Sequence, residues 1–237
     1  MNLLVGTKKS YLVGEGNDLH CNQGHVKAEA ISEAGVGGKV RSNKDAVFNV
    51  VEPDILDFIR KAKRGPQAVT LKDMGLIAAY AGISSESRVV EAGTGSGLLS
   101  MYLAHILAPG RLVTYEVRED FAQIALKNFE RFGVDNIKLK QADIYEGIEE
   151  KGLDAVILDL PEPWTVTPHL SESLKVGGRA VSYSPSVNQV HKFNDSLEGY
   201  EVESFECIQR HWKPKTMRPD TRMIGHTGFL TVARRLE

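Results

Sequence analysis

The 237-residue chain is 42% hydrophobic and 25% charged, the balance of an ordinary globular protein able to bury a full core. A formal net charge of -2 excludes a generally basic, non-specific nucleic-acid binder, and no apolar run is long enough to span a bilayer. Cys21 and Cys207 lie far apart with no C-x-x-C or Cys/His cluster, so two free buried thiols are expected, with no zinc site, no other metal and no disulfide framework. The opening Met1-Asn-Leu-Leu-Val-Gly-Thr-Lys-Lys9 is too short in apolar residues for a signal peptide, which makes a cytoplasmic location the expectation.

The chain changes character near residue 52. Leu3–Val5, Ser10–Val13 and Ala46–Val51 read as short strands among Gly14, Gly16, Gly24, Gly35, Gly37 and Gly38, which predicts a small N-terminal β-domain over 1–52. After Pro53, Asp54–Arg60 has helical spacing with an acid at its start, and the turn-rich Arg64-Gly-Pro-Gln67 leads to an apolar helix over Thr70–Tyr80. From Arg88 strands and helices alternate, predicting an α/β domain over 53–237 built on a parallel sheet with helices on both faces. Strands are expected at the β-branched run beginning at Arg88 and at Arg111–Val117, Ile137–Gln141, Asp154–Leu158 and Arg179–Tyr183. The helix Glu119–Phe132 carries Phe121, Ile124, Ala125, Phe129 and Phe132 on one face; another runs from Val166–Pro168 to a stop at Gly177-Gly178. Tyr200–Cys207 and Gly228–Arg234 alternate as a closing antiparallel hairpin around a basic insert.

The chemistry concentrates in Arg88-Val-Val-Glu-Ala-Gly-Thr-Gly-Ser-Gly-Leu-Leu-Ser100. Glycines at 93, 95 and 97 let the backbone approach a ligand, and the free amides of the following helix favour a carboxylate or phosphate. The pattern is E-x-G-x-G-x-G, not the G-x-G-x-x-G of dinucleotide folds. An acid ahead of the glycines suits a ligand with an ammonium group, which points to S-adenosylmethionine: Glu91 faces its amine, and the amides from Ser96 to Leu99 face its carboxylate. Glu116, ending the second strand, is placed to hold ribose hydroxyls. Asp143, with Ile144, stands at the third strand end. Each acid alone also fits a helix cap or a solvated loop.

Ligands in open α/β sheets sit at the carboxyl ends of strands, so Asp159, after the fourth strand, belongs beside the transferable methyl and is the expected catalytic residue. Pro161 and Pro163 stiffen the loop that follows into one wall of a substrate pocket. Trp164 fits either stacking on a base or capping the core. Asp-Leu-Pro-Glu-Pro-Trp differs from the Asn/Asp-Pro-Pro-Tyr/Phe loop of methylases acting on exocyclic base amines, which suggests a ring nitrogen as acceptor. Arg210, His211, Lys213, Lys215, Arg218 and Arg222, around Trp212 and Pro214, form a basic cluster, and Arg60, Lys61, Lys63 and Arg64 a second. Such clusters serve equally as phosphate contacts or as solvated faces. His226 fits a structural role in a β-turn or a contact to RNA phosphate, and Tyr183 fits pocket or core.

Several segments together resemble the archaeal tRNA (adenine-N1)-methyltransferase family, which modifies adenine 58, and in some archaea 57, of the T-loop. They are Arg64-Gly-Pro-Gln-Ala-Val-Thr-Leu-Lys-Asp73, Val90-Glu-Ala-Gly-Thr-Gly-Ser-Gly97, Asp159-Leu-Pro-Glu-Pro-Trp164, Val181-Ser-Tyr-Ser-Pro185 with Gln189-Val190, and Arg218-Pro219 through Gly225-His-Thr-Gly-Phe-Leu230. The resemblance implies a Rossmann-like class I methyltransferase with a seven-stranded, mostly parallel sheet, acting on tRNA as a homotetramer and not on a membrane. It further implies cofactor contacts from Gln67, Ala68, Val69, Thr70, Leu71, Gly93, Thr94, Gly95, Ser96, Gly97, Leu98, Leu99, Ser100, Glu116, Asp143 and Ile144. Asp159 is then in the active site, also touching cofactor, with Tyr183 near the target base. Many relatives have Tyr or His where this chain has Thr70, and some have a basic residue at Phe121. The competing expectations are a small-molecule or protein methyltransferase on the same fold, and a catalytically silent RNA-binding subunit.

Overall fold

Short valine- and leucine-bearing runs separated by glycine turns build the first part of the chain. The computed structural model describes residues 1–65 and 68–237, which divide into two units, Met1–Ala62 and Lys63–Glu237. The first comprises β1 (Asn2–Val5), β2 (Ser10–Val13), β3 (Leu19–Cys21), β4 (Gly24–Val26), α1 (Ala28–Ala34), β5 (Lys39–Arg41), β6 (Val47–Val51) and α2 (Ile55–Lys61). An antiparallel sheet ordered β2-β1-β6-β5 and a separate β3-β4 hairpin bury Leu4, Val13, Leu19, Val26, Ile31, Val40, Phe48 and Val50 together. The pieces β3, β4, α1 and β5 are too short to show a period in the sequence. Asp54 and Asp57 form a reciprocal capping box at the start of α2, and the Lys61 ammonium bonds the Ser10 carbonyl. The change of character at residue 52 therefore marks the end of the strands, while this unit continues to Ala62.

The second unit contains α3 (Leu71–Ala81), β7 (Val89–Ala92), α4 (Leu98–Leu107), β8 (Leu112–Tyr115), α5 (Glu119–Phe132), β9 (Ile137–Lys140), β10 (Leu153–Leu158), α6 (Thr167–Ser173), β11 (Leu174–Ser184), α7 (Val187–Ser196), β12 (Tyr200–Glu206), β13 (Trp212–Lys213), β14 (Arg218–Pro219) and β15 (Phe229–Arg235). Its main sheet runs β12-β15-β11-β10-β7-β8-β9, with β15 antiparallel to both neighbours and the five strands from β11 to β9 parallel. All four residues of the central β7 are buried, as expected of a parallel strand covered on both faces. The order reverses between β7 and β10, which opens a crevice at their carboxyl ends.

Two elements differ from the sequence expectation. The helix expected to reach Gly177-Gly178 stops at Ser173, and both glycines lie inside β11. Leu174 already pairs with Leu153, and the register then slips; a Cβ on Gly178 would stand 2.9 Å from the Leu153 carbonyl oxygen, so glycine permits the irregularity rather than ending a helix. Helix α7 is hidden in the sequence because Asn-Gln-Val-His-Lys-Phe-Asn-Asp is mostly polar; only Phe193 is buried, and Ser186 caps it by accepting from the Gln189 amide. The thiols also differ: Cys207 is exposed, and Cys21 is half-buried at the margin of the N-terminal core, at the end of β3.

Candidate active site

The glycine loop leaves β7 and is tied on both sides. The Asp159 amide donates to the Ala92 carbonyl at 2.6 Å and the Gly93 amide to the Asp159 carbonyl at 3.3 Å, so the β7–β10 pairing brings Asp159 against Gly93. Thr94 bonds the Tyr115 carbonyl through both its amide and its hydroxyl, each at 3.0 Å. Gly97, at φ 78°, caps α4, and a Cβ there would stand 2.5 Å from Phe129 Cε1, so α5 packs directly on the loop. The first-turn amides of α4 have no carbonyl partner within their own helix.

Three acids gather round this loop. Glu91 is fully buried; its Oε2 accepts from the Ser100 hydroxyl at 2.5 Å and its Oε1 has no partner. Burial first, opposed by hydrogen bonding and reinforced by the charges of Asp159 and Glu116, pushes its pKa to about 8. Burial pushes Asp159 up to about 7. Glu116 accepts from the Gly95 amide at 2.8 Å through Oε2 and from the Arg118 amide at 2.9 Å through Oε1. No cationic side chain among the described residues pairs with Glu91 or Asp159, so the crevice suits a positively charged ligand.

Two hollows meet at Asp159. A small one of 70 Å³ is lined by Gly65, Ala68, Val69, Gly93, Thr94, Gly95, Ser96, Leu98, Leu99 and Phe121 together with Asp159. The other, 520 Å³, is bounded by Ala68, Asp159, Leu160, Pro161, Tyr183, Pro185, Gln189 and Thr227. That volume lies in the range of small-molecule sites, about 300–1,000 Å³. A wider concavity of 740 Å³ in the N-terminal unit gathers Glu15, Glu29 and Glu33 with the turn glycines Gly14 and Gly16, and no Lys, Arg or His side chain lines it.

The expected residues fall into three groups. Ala68, Val69, Gly93 to Ser96, Leu98, Leu99 and Asp159 line the hollows, and Glu91, Gly97, Ser100 and Glu116 adjoin the loop without lining either one. Leu71 opens α3 outside both linings, and the Thr70 hydroxyl is engaged by the buried Asp73 carboxylate at 2.8 Å. Asp143 caps a short turn by accepting from the Tyr145 amide at 2.9 Å, and Ile144 is buried in the core; neither lines a hollow. Gln67 lies outside the described residues.

The Tyr183 ring walls the larger hollow, its hydroxyl donating to the Thr227 carbonyl at 2.6 Å; burial pushes its pKa to about 12. Lys72 bonds both Asp73 and the Thr227 hydroxyl, the latter at 2.7 Å, tying α3 to the same turn. Both nitrogens of His226 are held, Nδ1 by Glu206 at 2.8 Å and Nε2 by the Pro185 carbonyl at 3.2 Å. Trp164 packs on the core with the Lys192 ammonium 4.6 Å over its ring, away from both hollows.

The sequence period puts Phe121 on the core face of α5, whereas it lines the small hollow with the Arg118 guanidinium 4.2 Å above its ring. Ala122, Ala125, Asn128, Phe129 and Phe132 are the buried positions, so the core stripe is rotated and Phe121 flanks it. Asn128 escapes sequence reasoning because a polar residue gives no apolar signal; it bonds the Ser96 and Lys63 carbonyls. Leu160, Pro185, Gln189 and Thr227 also escape it as lining residues, although all lie in or beside the segments that carry the family resemblance.

A mostly parallel sheet with this strand order, an antiparallel β15 and a glycine loop after its central strand define a class I S-adenosylmethionine-dependent methyltransferase fold. The chain belongs to the family described as tRNA methyltransferase complex GCD14 subunit, which it matches over residues 61–221. It is 38% identical to the tRNA (adenine(57)-N(1)/adenine(58)-N(1))-methyltransferase TrmI of Methanocaldococcus jannaschii, across 92% of this chain and 87% of that one. Among solved structures it is similar to a SAM-dependent O-methyltransferase of Thermotoga maritima, with a TM-score of 0.91, 31% identity and coverage of 100% and 92% of the two chains. It is also similar to the tRNA (m1A58) methyltransferase TrmI of Aquifex aeolicus, with a TM-score of 0.85, 28% identity and coverage of 100% and 96%.

Proposed function

We propose that this chain methylates N1 of adenine in the T-loop of tRNA, at position 58 and also at 57, with S-adenosylmethionine as the donor. The observation that carries the reading is the position of Asp159, a half-buried carboxyl standing where the glycine-loop hollow and the larger hollow meet. The crevice residues fit the donor: the unpartnered Glu91 oxygen for its amine, the α4 amides for its carboxylate, and Glu116 for ribose hydroxyls. When bound, it supplies an electrophilic methyl on a sulfonium centre.

The residues of the chain then position and exclude. Adenine N1 is itself a competent nucleophile, so no covalent intermediate with the protein is needed, and alignment can lower such barriers by roughly 7–11 kcal/mol. Asp159 accepts a hydrogen bond from the N6 amine and orients the ring, and its charge stabilises the cation that methylation creates. Tyr183, Leu160 and Pro161 wall the base pocket against water. A stacked T-loop base must first be flipped out, at a cost of about a few kcal/mol.

We also take the working form to be a homotetramer in the cytoplasm. Ile208, Trp212, Met217, Met223 and Ile224 are exposed apolar side chains that an assembly would cover. No helix among the described residues is long and apolar enough to cross a membrane.

Labelled S-adenosylmethionine incubated with the protein and tRNA transcripts, intact or with adenines 57 and 58 replaced singly and together, tests the reading. Label lost only when both are replaced is expected. Transfer that survives the double replacement, or no transfer to any tRNA, overturns it.

A further inference from the structure

The β3-β4 hairpin of the N-terminal unit carries a convergence of ligands that the glycine-loop chemistry does not use. Strand alternation turns Leu19 and Val26 into the core and sets His20 and His25, directly paired across the hairpin, on the opposite face. Asp18, just before β3, joins them: each of the three residues offers one ligand atom, and these atoms all lie within 4.8 Å of one another. We propose that Asp18, His20 and His25 form a binding site for one divalent cation of the zinc class.

Two imidazoles and a carboxylate are the donor set of Zn²⁺, Co²⁺ and Ni²⁺ rather than of Mg²⁺ or Ca²⁺, and three protein ligands leave one tetrahedral position for water. Most of the site is already fixed. His25 Nε2 lies 2.7 Å from Asp18 Oδ2, while Asp18 Oδ1 accepts from the Ala28 amide at 2.8 Å. The His25 amide donates to Asn43 Oδ1 at 2.8 Å, and the His25 carbonyl accepts from the Asn43 amide at 3.0 Å. The His20 ring stacks on His25 with centroids 4.4 Å apart and planes 14° from parallel. Lone pairs in parallel rings run side by side, so sharing one ion requires His20 to turn. Its ring is exposed and makes no side-chain hydrogen bond among the described residues, so the turn breaks only the stacking.

The location gives such an ion a task. The hairpin is a two-stranded piece hydrogen-bonded to neither edge of the four-stranded sheet, and isolated hairpins are marginal. Units below about 70–80 residues commonly need a staple beyond their apolar core, and this one ends at Ala62. An ion gripped at Asp18, His20 and His25 links the segment before β3 to both strands. The site is concealed in the sequence because it contains no cysteine spacing, and Asp-x-His followed by His25 converges only through the hairpin.

Calorimetric titration of the full chain, stripped with EDTA, with ZnCl₂ tests the site, and Co²⁺ absorption reports ligand geometry. One Zn²⁺ per chain is expected, with a rise in Tm. His20→Ala and His25→Ala should each weaken binding at least about tenfold, the loss that follows even removal of an outer partner of a metal ligand. His20→Ala removes an exposed ring and should leave methyl transfer unchanged, which separates this site from the proposed reaction. Absence of stoichiometric uptake, uptake equal in His20→Ala, or a Tm that responds to pH but not to Zn²⁺ overturns the proposal.

Discussion

The Ser100 hydroxyl donates to Glu91 Oε2 at 2.5 Å, and this bond leaves Glu91 Oε1 buried with no partner of its own. With a pKa of about 8, the carboxyl holds a proton at neutral pH until a cation is set against it. Binding of S-adenosylmethionine at about pH 7 should therefore release a proton. Calorimetry in two buffers of different ionisation enthalpy should give different apparent enthalpies, and the difference should shrink in Glu91→Gln to what Asp159, near 7, still releases. That variant also loses a charge-assisted hydrogen bond, so its affinity should fall roughly tenfold to a hundredfold. Identical enthalpies in both buffers for the unaltered chain would remove Glu91 from the amine site.

The stability of the ligand-free chain should fall as pH rises, through the same acids. Glu91 and Asp159 titrate near 8 and near 7 in the fold, against ordinary values of 4.5 and 3.8. The folded state thus holds protons that the unfolded chain has already lost. The contribution of the two groups is full below the ordinary values and disappears as pH rises through 7 to 8. Urea midpoints measured from about pH 5 to about pH 8.5 should decline, and less steeply in Glu91→Gln and Asp159→Asn. Slopes unchanged by both substitutions would mean that neither proton is held.

Asp159 should matter to turnover more than to cofactor affinity. Its proposed hydrogen bond and charge act on the adenine, so Asp159→Asn should lower kcat by roughly 100- to 1,000-fold, the range for loss of one preorganised electrostatic group. The ionised form is the active one, so kcat/KM should rise with pH through about 7 and level off above it. Isothermal binding of the cofactor should change much less. Equal losses of affinity and rate would reassign Asp159 to cofactor binding.

The alternation from Arg88 onward makes the parallel sheet legible, because β7 and β10 bury nearly every side chain and leave no competing amphipathic pattern. The loop from Gly93 to Gly97 is legible for a different reason: Gly95 and Gly97 adopt positive φ, so the residue type itself reports the backbone. What stays hidden depends on partners far apart in the chain. Thr227 becomes part of the larger hollow only because β15 inserts beside β11, and Lys72 reaches that turn from α3. Asn128 and Thr70 look like surface residues until their partners, the Ser96 carbonyl and the buried Asp73, are known.

Gly228 sets the position of Tyr183. A Cβ on Gly228 would stand 2.4 Å from Tyr183 Cζ, so Gly228→Ala must drive the ring away from the Thr227 carbonyl and into the larger hollow. Overpacking of this kind costs about 1–3 kcal/mol. Tyr183→Phe keeps the ring and loses only its hydrogen bond, about 1 kcal/mol. Thermal melts should rank Gly228→Ala below Tyr183→Phe, and kcat/KM toward tRNA should follow the same order. A Gly228→Ala protein as stable and active as the original would show that the turn yields instead of the ring.

The basic insert between β12 and β15 offers a test of where tRNA lies. Arg210, His211, Lys213, Lys215, Arg218 and Arg222 are all exposed, and Lys213 is the one among them paired with an acid, Asp220 at 3.9 Å. If these cations meet phosphates, association releases counterions and log K falls with log salt concentration. Reversing Lys215, Arg218 and Arg222 to Glu should weaken tRNA binding and flatten that dependence by about 0.7 to 0.9 for each phosphate no longer neutralised. Cofactor affinity should be unaffected, since none of the three lines either hollow. Filter binding across a salt series distinguishes the outcomes: a parallel shift without a change of slope would indicate a disturbed hairpin, and no shift would leave this face to solvent.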